Sequence, residues 1–334
     1  MLAKYNIIVK RTIRNKIMIP LKTRLNTNAH QNSIFMTETK PSIKHIVISG
    51  GGITGFSFYG ALKESHEQGK WSIDNIQSIY GTSVGSILAV VLSLKYDWET
   101  LDDYLIKRPW HNLYKFNLYS LMDAIQKRGI FNKKVIEDTV SPLFSGKDVS
   151  LDITMEELYS RTGIDIHIFL TEIHSFTLVD ISHTTHPQMK VIDAIYASSA
   201  VPIIFTPFLT ENLCYCDGGM IANYPILQCI NNGADPNEIL GIVRIKDEKN
   251  DLTLSETSTL FDYAFIILRK SVEKIMDRPA PQKIHTEYVI ESTQISLQNI
   301  TNTASSMEER NRLIDIGKQY VIDYYSNELD DPNL

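Results

Sequence analysis

Cysteine is scarce in this 334-residue chain: Cys214, Cys216 and Cys229 are too few and too clustered for a disulfide framework. A Cys-x-Cys pair with no second pair is also a poor zinc signal, so small buried thiols in a reducing compartment are expected. Equally absent is any run of 18 apolar residues, which excludes a transmembrane helix and leaves a cytoplasmic protein or one held peripherally at a membrane surface. Acids are almost missing from residues 1–40, where Glu38 stands alone against eight Lys and Arg for a net of +7. With −6 over the whole chain the remainder carries −13, and so acidic a body points away from a nucleic-acid partner.

Residues 1–42 are therefore expected to stand outside the fold as a basic leader. They are rich in Lys, Arg, Asn and Thr and are interrupted by Pro20. A segment of this kind serves as a transit peptide, as a basic arm touching a membrane, or as a disordered extension, and Met36 offers a second start just before the first strand. Residues 43–334 have the apolar and charged fractions of a globular protein, no internal repeat and no linker, and are expected to form one domain.

Periodicity places the elements. Residues 44–49 are a short apolar run read as a buried strand, followed by Gly50-Gly51-Gly52-Ile53-Thr54-Gly55 and a helix bearing Phe56, Tyr59 and Leu62 that ends near Gly69. Residues 76–80 predict a second strand and 84–94 an apolar helix. Asp97 is the cap of a helix carrying Leu101, Tyr104 and Leu105, stopped before Pro109, and Asn132 caps another through Val140. The aromatic-rich stretch 110–122 fits either core or a lid over an apolar cleft. Residues 166–171 and 176–181 predict a hairpin, 191–199 a helix, and 213–216 a strand ending at Asp217-Gly218-Gly219. Strands at 239–245 and 286–291 and helices at 260–276 and 307–325 complete an α/β pattern, a sheet sandwiched by helices.

Three glycine-bearing stretches carry the chemistry. In Tyr80-Gly81-Thr82-Ser83-Val84-Gly85 a serine sits on a tight strand-to-helix turn, where Gly81 and Gly85 give its strained backbone room. The helix that follows points the positive end of its dipole at charge forming on Ser83. In the first loop the amides of Gly50, Gly51 and Gly52 can turn inward as donors beside a helix N-terminus. Gly50-x-Gly52-x-x-Gly55 also fits a dinucleotide fingerprint, but that reading wants an acid at the end of the second strand, and Asp74 falls before that strand. None of the nine histidines sits in a motif that recommends it as a base for Ser83. Asp217 ends a strand and is followed by Gly218 and Gly219, so its carboxylate can reach the same C-terminal edge of the sheet; taken alone, Asp-Gly-Gly is also a simple turn.

Together these motifs resemble the patatin-like phospholipases, whose order is Gly-x-Gly-x-x-Gly, Gly-x-Ser-x-Gly, then Asp-Gly-Gly or Asp-Gly-Ala. Arg128-Gly129-Ile130-Phe131, Ala197-Ser198-Ser199-Ala200-Val201-Pro202 and Asn223-Tyr224-Pro225 add to the resemblance, which covers about residues 44–235. It implies a three-layer α/β/α sandwich with a mainly parallel central sheet, and a phospholipase A-like lipid acyl hydrolase that works through an acyl-enzyme without metal or other cofactor. It also implies Ser83 as nucleophile, Asp217 as its base and the Gly50, Gly51 and Gly52 amides as the oxyanion hole, with a phospholipid or other acyl lipid as substrate and peripheral contact with its membrane. Where family members often carry Lys or Arg before the last glycine of the first motif, this chain has Thr54, which puts a phosphate contact from that position in doubt. The alternative is a catalytically silent lipid- or membrane-binding protein of the same fold.

Overall fold

The structure, a computed structural model, describes residues 42–115, 124–246, 254–256, 258–276, 283–292 and 296–330. The leader read at 1–42 lies, save for Ser42, outside the described residues, as do residues 116–122 of the aromatic-rich stretch. Residues 41–334 form one compact unit.

Strand β1 (His45–Ile48) runs through the glycine loop into helix α1 (Gly55–Glu67), and β2 (Ser78–Thr82) runs through Ser83 into α2 (Val84–Ser93). The later strands among the described residues are β3 (Gly129–Phe131), β4 (Asp165–Glu172), β5 (Thr177–Ile181), β6 (Ile203–Phe205), β7 (Phe208–Leu209), β8 (Cys214–Asp217), β9 (Ile239–Lys246) and β10 (Thr286–Ser292). The central sheet has the order β10-β9-β1-β2-β4-β8-β7, with β5 also on β4. Its first five strands are parallel to one another, whereas β5, β7 and β8 pair antiparallel. From β1 the chain adds β2 and β4 on one side and β9 and β10 on the other, so the loop after β1 sits where the strand order reverses, the place where open α/β sheets bind ligands.

Burial explains the layers. Ile46, Ile48, Ile79, Ile168 and Leu170 face a large core shared with α1, α2 and the helices Lys133–Ser145, Val191–Ser198 and Met307–Asp330. Their alternates Val47, Tyr80 and Phe169 face a smaller core under the helix Ile226–Asn231. A parallel sheet buried on both faces needs such continuously apolar strands, and the result is the expected three-layer α/β architecture.

The structure extends or shortens several elements read from the sequence. Ile76 and Gln77, read as the start of the second strand, instead link a 3-10 turn at Ile73–Asn75 to β2, which begins at Ser78 and runs on to Thr82. Asp97 and Asn132 cap as expected, accepting from Thr100 and Lys134. The helix after Asn132 continues past Val140 to Ser145 through Pro142, which has no N–H for the Asp138 carbonyl. Arg108 supplies the missing donor, its Nη2 lying 2.5 Å from that oxygen. The described part of the aromatic stretch packs as core: Trp110 is buried and Tyr114 stands edge-on to Phe131.

Helix α1 and the C-terminal helix Met307–Asp330 meet at backbone distance. A Cβ on Gly60 would fall 2.0 Å from the Ile314 carbonyl oxygen, and one on Gly317 would fall 1.8 Å from that of Ser57. Neither obstacle can rotate away as a side chain would. Gly317→Val is therefore expected to cost at least the ~1–3 kcal/mol typical of an overpacked core. Urea unfolding with an unchanged midpoint would show that the two helices do not pack this closely.

Candidate active site

The site follows from how β4 shares one of its edges. β2 pairs with β4 up to Thr82↔Phe169, and β8 pairs with β4 from Leu170↔Asp217 onward. At Ile168 and Phe169 both β2 and β5 are bonded to β4, and at residues 170–172 both β5 and β8 are, so β2 and β8 occupy the same edge in succession. Where β2 stops and turns into α2, β8 arrives from the opposite direction. Ser83 and Asp217 are thereby delivered to neighbouring positions from strands 134 residues apart in sequence.

Ser83 holds φ 55° and ψ −125°, a left-handed strained conformation at the tip of the turn. Close packing imposes the turn. A Cβ on Gly81 would lie 2.5 Å from the Gly85 carbonyl oxygen, and one on Gly85 would lie 2.3 Å from that of Ile48. Ser198 braces it, accepting from the Ser83 amide at 2.9 Å and donating to the Phe169 carbonyl at 2.7 Å. Ser86 donates its hydroxyl to the Ser83 carbonyl at 2.6 Å. The Ser83 hydroxyl thus stands on a fully tied backbone at the N-terminus of α2.

Asp217 is buried, 5% exposed, and its Oδ1 accepts from the Gly219 amide at 2.7 Å. Its Oδ2 is buried with no partner. Burial pushes this carboxyl up to about 6, while the Ser83 hydroxyl and the Gly219 amide pull in the other direction. Ser83 is thus near enough to act on the carboxylate, yet no hydrogen bond to Oδ2 is closed. Catalytic hydrogen bonds are often this loose before a substrate is bound.

The glycine loop closes the third side, and Asn223 ties it down. The Gly50 amide donates to the Asn223 carbonyl at 2.8 Å, and Asn223 Nδ2 donates to the Gly50 carbonyl at 3.2 Å. A Cβ on Gly50 would lie 2.4 Å from Asn223 Oδ1 and 3.2 Å from Ser83 Cβ, and one on Gly219 would lie 2.9 Å from the same Oδ1. Asn223 is therefore wedged between the first loop and Asp217-Gly218-Gly219. The donor set is narrower than expected, because the Gly50 amide is already committed. Among the described residues the Gly51 and Gly52 amides have no acceptor, and Gly52 adopts φ 54°, which only glycine accepts freely. Gly55 lets α1 lie against α2, since a Cβ there would fall 2.4 Å from Val84 Cγ2, and a Cβ on Gly218 would strike the Phe169 carbonyl at 2.2 Å. Thr54, in the family's basic position, is buried with its hydroxyl unpartnered.

Ser198 and Asn223 were not singled out as site residues. Both lie in stretches that supported the resemblance, but their hydrogen bonds to Ser83 and Gly50 span 115 and 173 positions and leave no local pattern. Among the described residues no imidazole is hydrogen-bonded to Ser83. His167 is held by Asp180 at 2.8 Å and Asp165 at 3.2 Å, and those carboxylates overcome the lowering effect of burial to keep it at about 9. Asp74 is exposed on the 3-10 turn before β2 and paired with Lys95. Cys214, Cys216 and Cys229 are buried free thiols.

The Asp217 carboxyl makes a stability prediction independent of turnover. Its folded value, about 6, lies above the ordinary 3.8, so the native state binds the proton more tightly. The stability it lends is fully present below the unfolded value and is lost as pH rises through about 6, a change on the order of 3 kcal/mol for two units. The stability of Asp217→Asn relative to the unaltered protein should therefore shift in favour of Asn by about that amount between pH 4 and pH 8. A difference constant with pH, measured by denaturant unfolding, would mean that the carboxyl is not desolvated.

Comparison with known proteins gives the family. The sequence pattern described as patatin-like phospholipase matches residues 46–230, more than half of the chain. An uncharacterized protein of Acanthamoeba polyphaga mimivirus is 28% identical over 223 residues, 66% of this chain and 72% of that protein. A probable lipid hydrolase of Invertebrate iridescent virus 6 is 30% identical over 185 residues, 55% of this chain and 62% of that protein. The crystal structure of VipD from Legionella pneumophila is 16% identical with a TM-score of 0.46, covering 82% of this chain and 67% of that one. The match runs from β1 to the helix after Asn223 and takes in all three loops that meet at Ser83, and the chain belongs to the patatin-like phospholipase family.

Proposed function

We propose that the protein hydrolyses fatty-acyl ester bonds of a lipid through an acyl-enzyme, with Ser83 as nucleophile and Asp217 as its base. Membership of a phospholipase family supports lipid hydrolysis as the general activity. The observation that carries the finer reading is the buried Asp217 carboxyl, with one oxygen unpartnered, beside a serine on a strained turn.

In this reading Ser83 Oγ attacks the ester carbonyl carbon while its proton passes to Asp217. The Gly51 and Gly52 amides, with the N-terminus of α2, stabilise the oxyanion of the tetrahedral intermediate. Collapse breaks the ester C–O bond, and the departing alcohol takes the proton back from Asp217. A water then attacks the acyl carbon while giving up a proton to Asp217, and the bond to Ser83 breaks as Ser83 Oγ takes that proton back and the fatty acid is released. An aspartate at its ordinary pKa is a poor base for an alcohol, and burial that lifts it to about 6 narrows that mismatch.

Because the base must be ionised, kcat/KM for a soluble short-chain ester should rise with pH and level off above an apparent pKa near 6. Ser83→Ala and Asp217→Asn should each lower that rate to near background, with the double variant little worse, since the two act as a unit. Full activity in either single variant, on protein shown by circular dichroism to be folded, would remove the pair from the chemistry and leave a lipid-binding role for the fold.

A further inference from the structure

Beyond the end of the parallel sheet the protein extends a small four-stranded tip. Residues 170–172 of β4 run past the end of β2, flanked by β5 on one edge and β8 on the other, and β7 borders β8. The Ile173 amide donates to the Cys214 carbonyl at 2.7 Å, so the turn joining β4 to β5 and the turn joining β7 to β8 lie side by side. Across these two turns stand Phe176, Ile173, Leu213 and Leu209, which are 51%, 38%, 42% and 52% exposed. Four large apolar side chains gathered on adjoining turns are unlike the singly scattered apolar residues of an ordinary surface.

Two features mark this end as built. Glu172 is buried, and its carboxylate accepts from the His174 amide at 3.0 Å and from the Ser175 amide and hydroxyl at 2.7 and 2.6 Å. Its Oε1 also lies 3.4 Å from the Cys214 amide, tying the second turn to the first. Phe176 has φ 51°, in the left-handed region where a bulky residue costs about 1–2 kcal/mol and where glycine or asparagine would sit without strain. The turn thus tolerates strain and leaves an aromatic ring half in solvent.

The chemistry of the occupant follows from charge and depth. The exposed flanking residues are His174, Ser175, Glu211 and Asn212, with one acid and no lysine or arginine among them, so no strong charge of either sign dominates. Ile173 lies three residues beyond Leu170, the partner of Asp217, or about 10 Å at ~3.3 Å per residue. Interfacial apolar faces enter a bilayer by about 5–10 Å, to the boundary of headgroups and acyl chains where lipid ester bonds lie. We infer that the paired turns carrying Ile173, Phe176, Leu209 and Leu213 insert into an electrically neutral lipid surface and hold Ser83 about 10 Å behind the inserted tip, at the outer face of that surface. This rests on the proposed acyl-ester hydrolysis, for which it names the docking surface. The contact is apolar and so resists salt, whereas any attraction by the basic leader is screened within about 3 Å at 1 M.

The test uses full-length Ser83→Ala protein and phosphatidylcholine vesicles at high salt, with binding read by co-sedimentation. Binding is expected, and Phe176→Gly with Leu213→Ser together should weaken it by about tenfold. The Phe176→Gly variant alone should melt no lower than its parent, because it relieves a strained φ. In protein that retains Ser83, the same pair of changes should lower turnover of vesicle lipid in proportion while leaving soluble-ester turnover within twofold. Unaltered vesicle binding in the double variant would overturn the inference. So would a dimer of the parent that the double variant dissociates with vesicle binding intact, which would make the tip a contact between copies. Loss of all ester hydrolysis in the parent with tip-dependent vesicle binding retained would instead sink the catalytic reading and leave the docking surface standing.

Discussion

The site depends on one pairing constraint, the division of a single edge of β4 between a parallel and an antiparallel neighbour. Phe169 is the last residue of β4 paired with β2 and Leu170 the first paired with β8. That boundary fixes the separation of Ser83 and Asp217 through backbone hydrogen bonds, which are stiffer than any side-chain contact. A shift of register by one residue would turn every side chain of β8 to the opposite face and take Asp217 out of the site. The Phe169 carbonyl marks the junction: it accepts from Ser198, which holds the Ser83 amide, and it is the atom that a Cβ on Gly218 would strike.

Around that junction the backbone is packed too tightly for side chains, and the glycines are needed for proximity more than for flexibility. Gly81 against Gly85, Gly85 against Ile48, Gly50 against Asn223 and Gly218 against Phe169 all bring main chain within reach of the neighbouring loop. The same compactness strips water from the Asp217 carboxyl. A buried, half-satisfied carboxylate opposes folding at neutral pH, and its retention is the kind of local cost expected where a group is kept for chemistry.

Much of this was legible in the sequence because it is local. The parallel strands β1, β2, β9 and β10 centre on short apolar stretches, and α2 is a predominantly apolar helix behind a glycine-flanked serine. The caps Asp97 and Asn132 work within three residues. What could not be read depends on distant partners. The strand ending at Asp217 was visible, but not its reversed direction on β4, since nothing in Cys214-Tyr215-Cys216-Asp217 encodes the neighbour's polarity. The helix across Pro142 holds together because Arg108, on another element, reaches the Asp138 carbonyl. The Gly50 amide was expected among the oxyanion donors, and only the distant Asn223 carbonyl shows it to be occupied.

That Ser83 is an activated nucleophile, as proposed, is tested most directly by a fluorophosphonate probe. Peptide mapping by mass spectrometry of the labelled native protein should find a single adduct on Ser83. Its rate of formation should fall as pH drops below about 6, where Asp217 takes up its proton. An adduct on another residue, or folded protein that remains unlabelled at pH 8, would contradict the account.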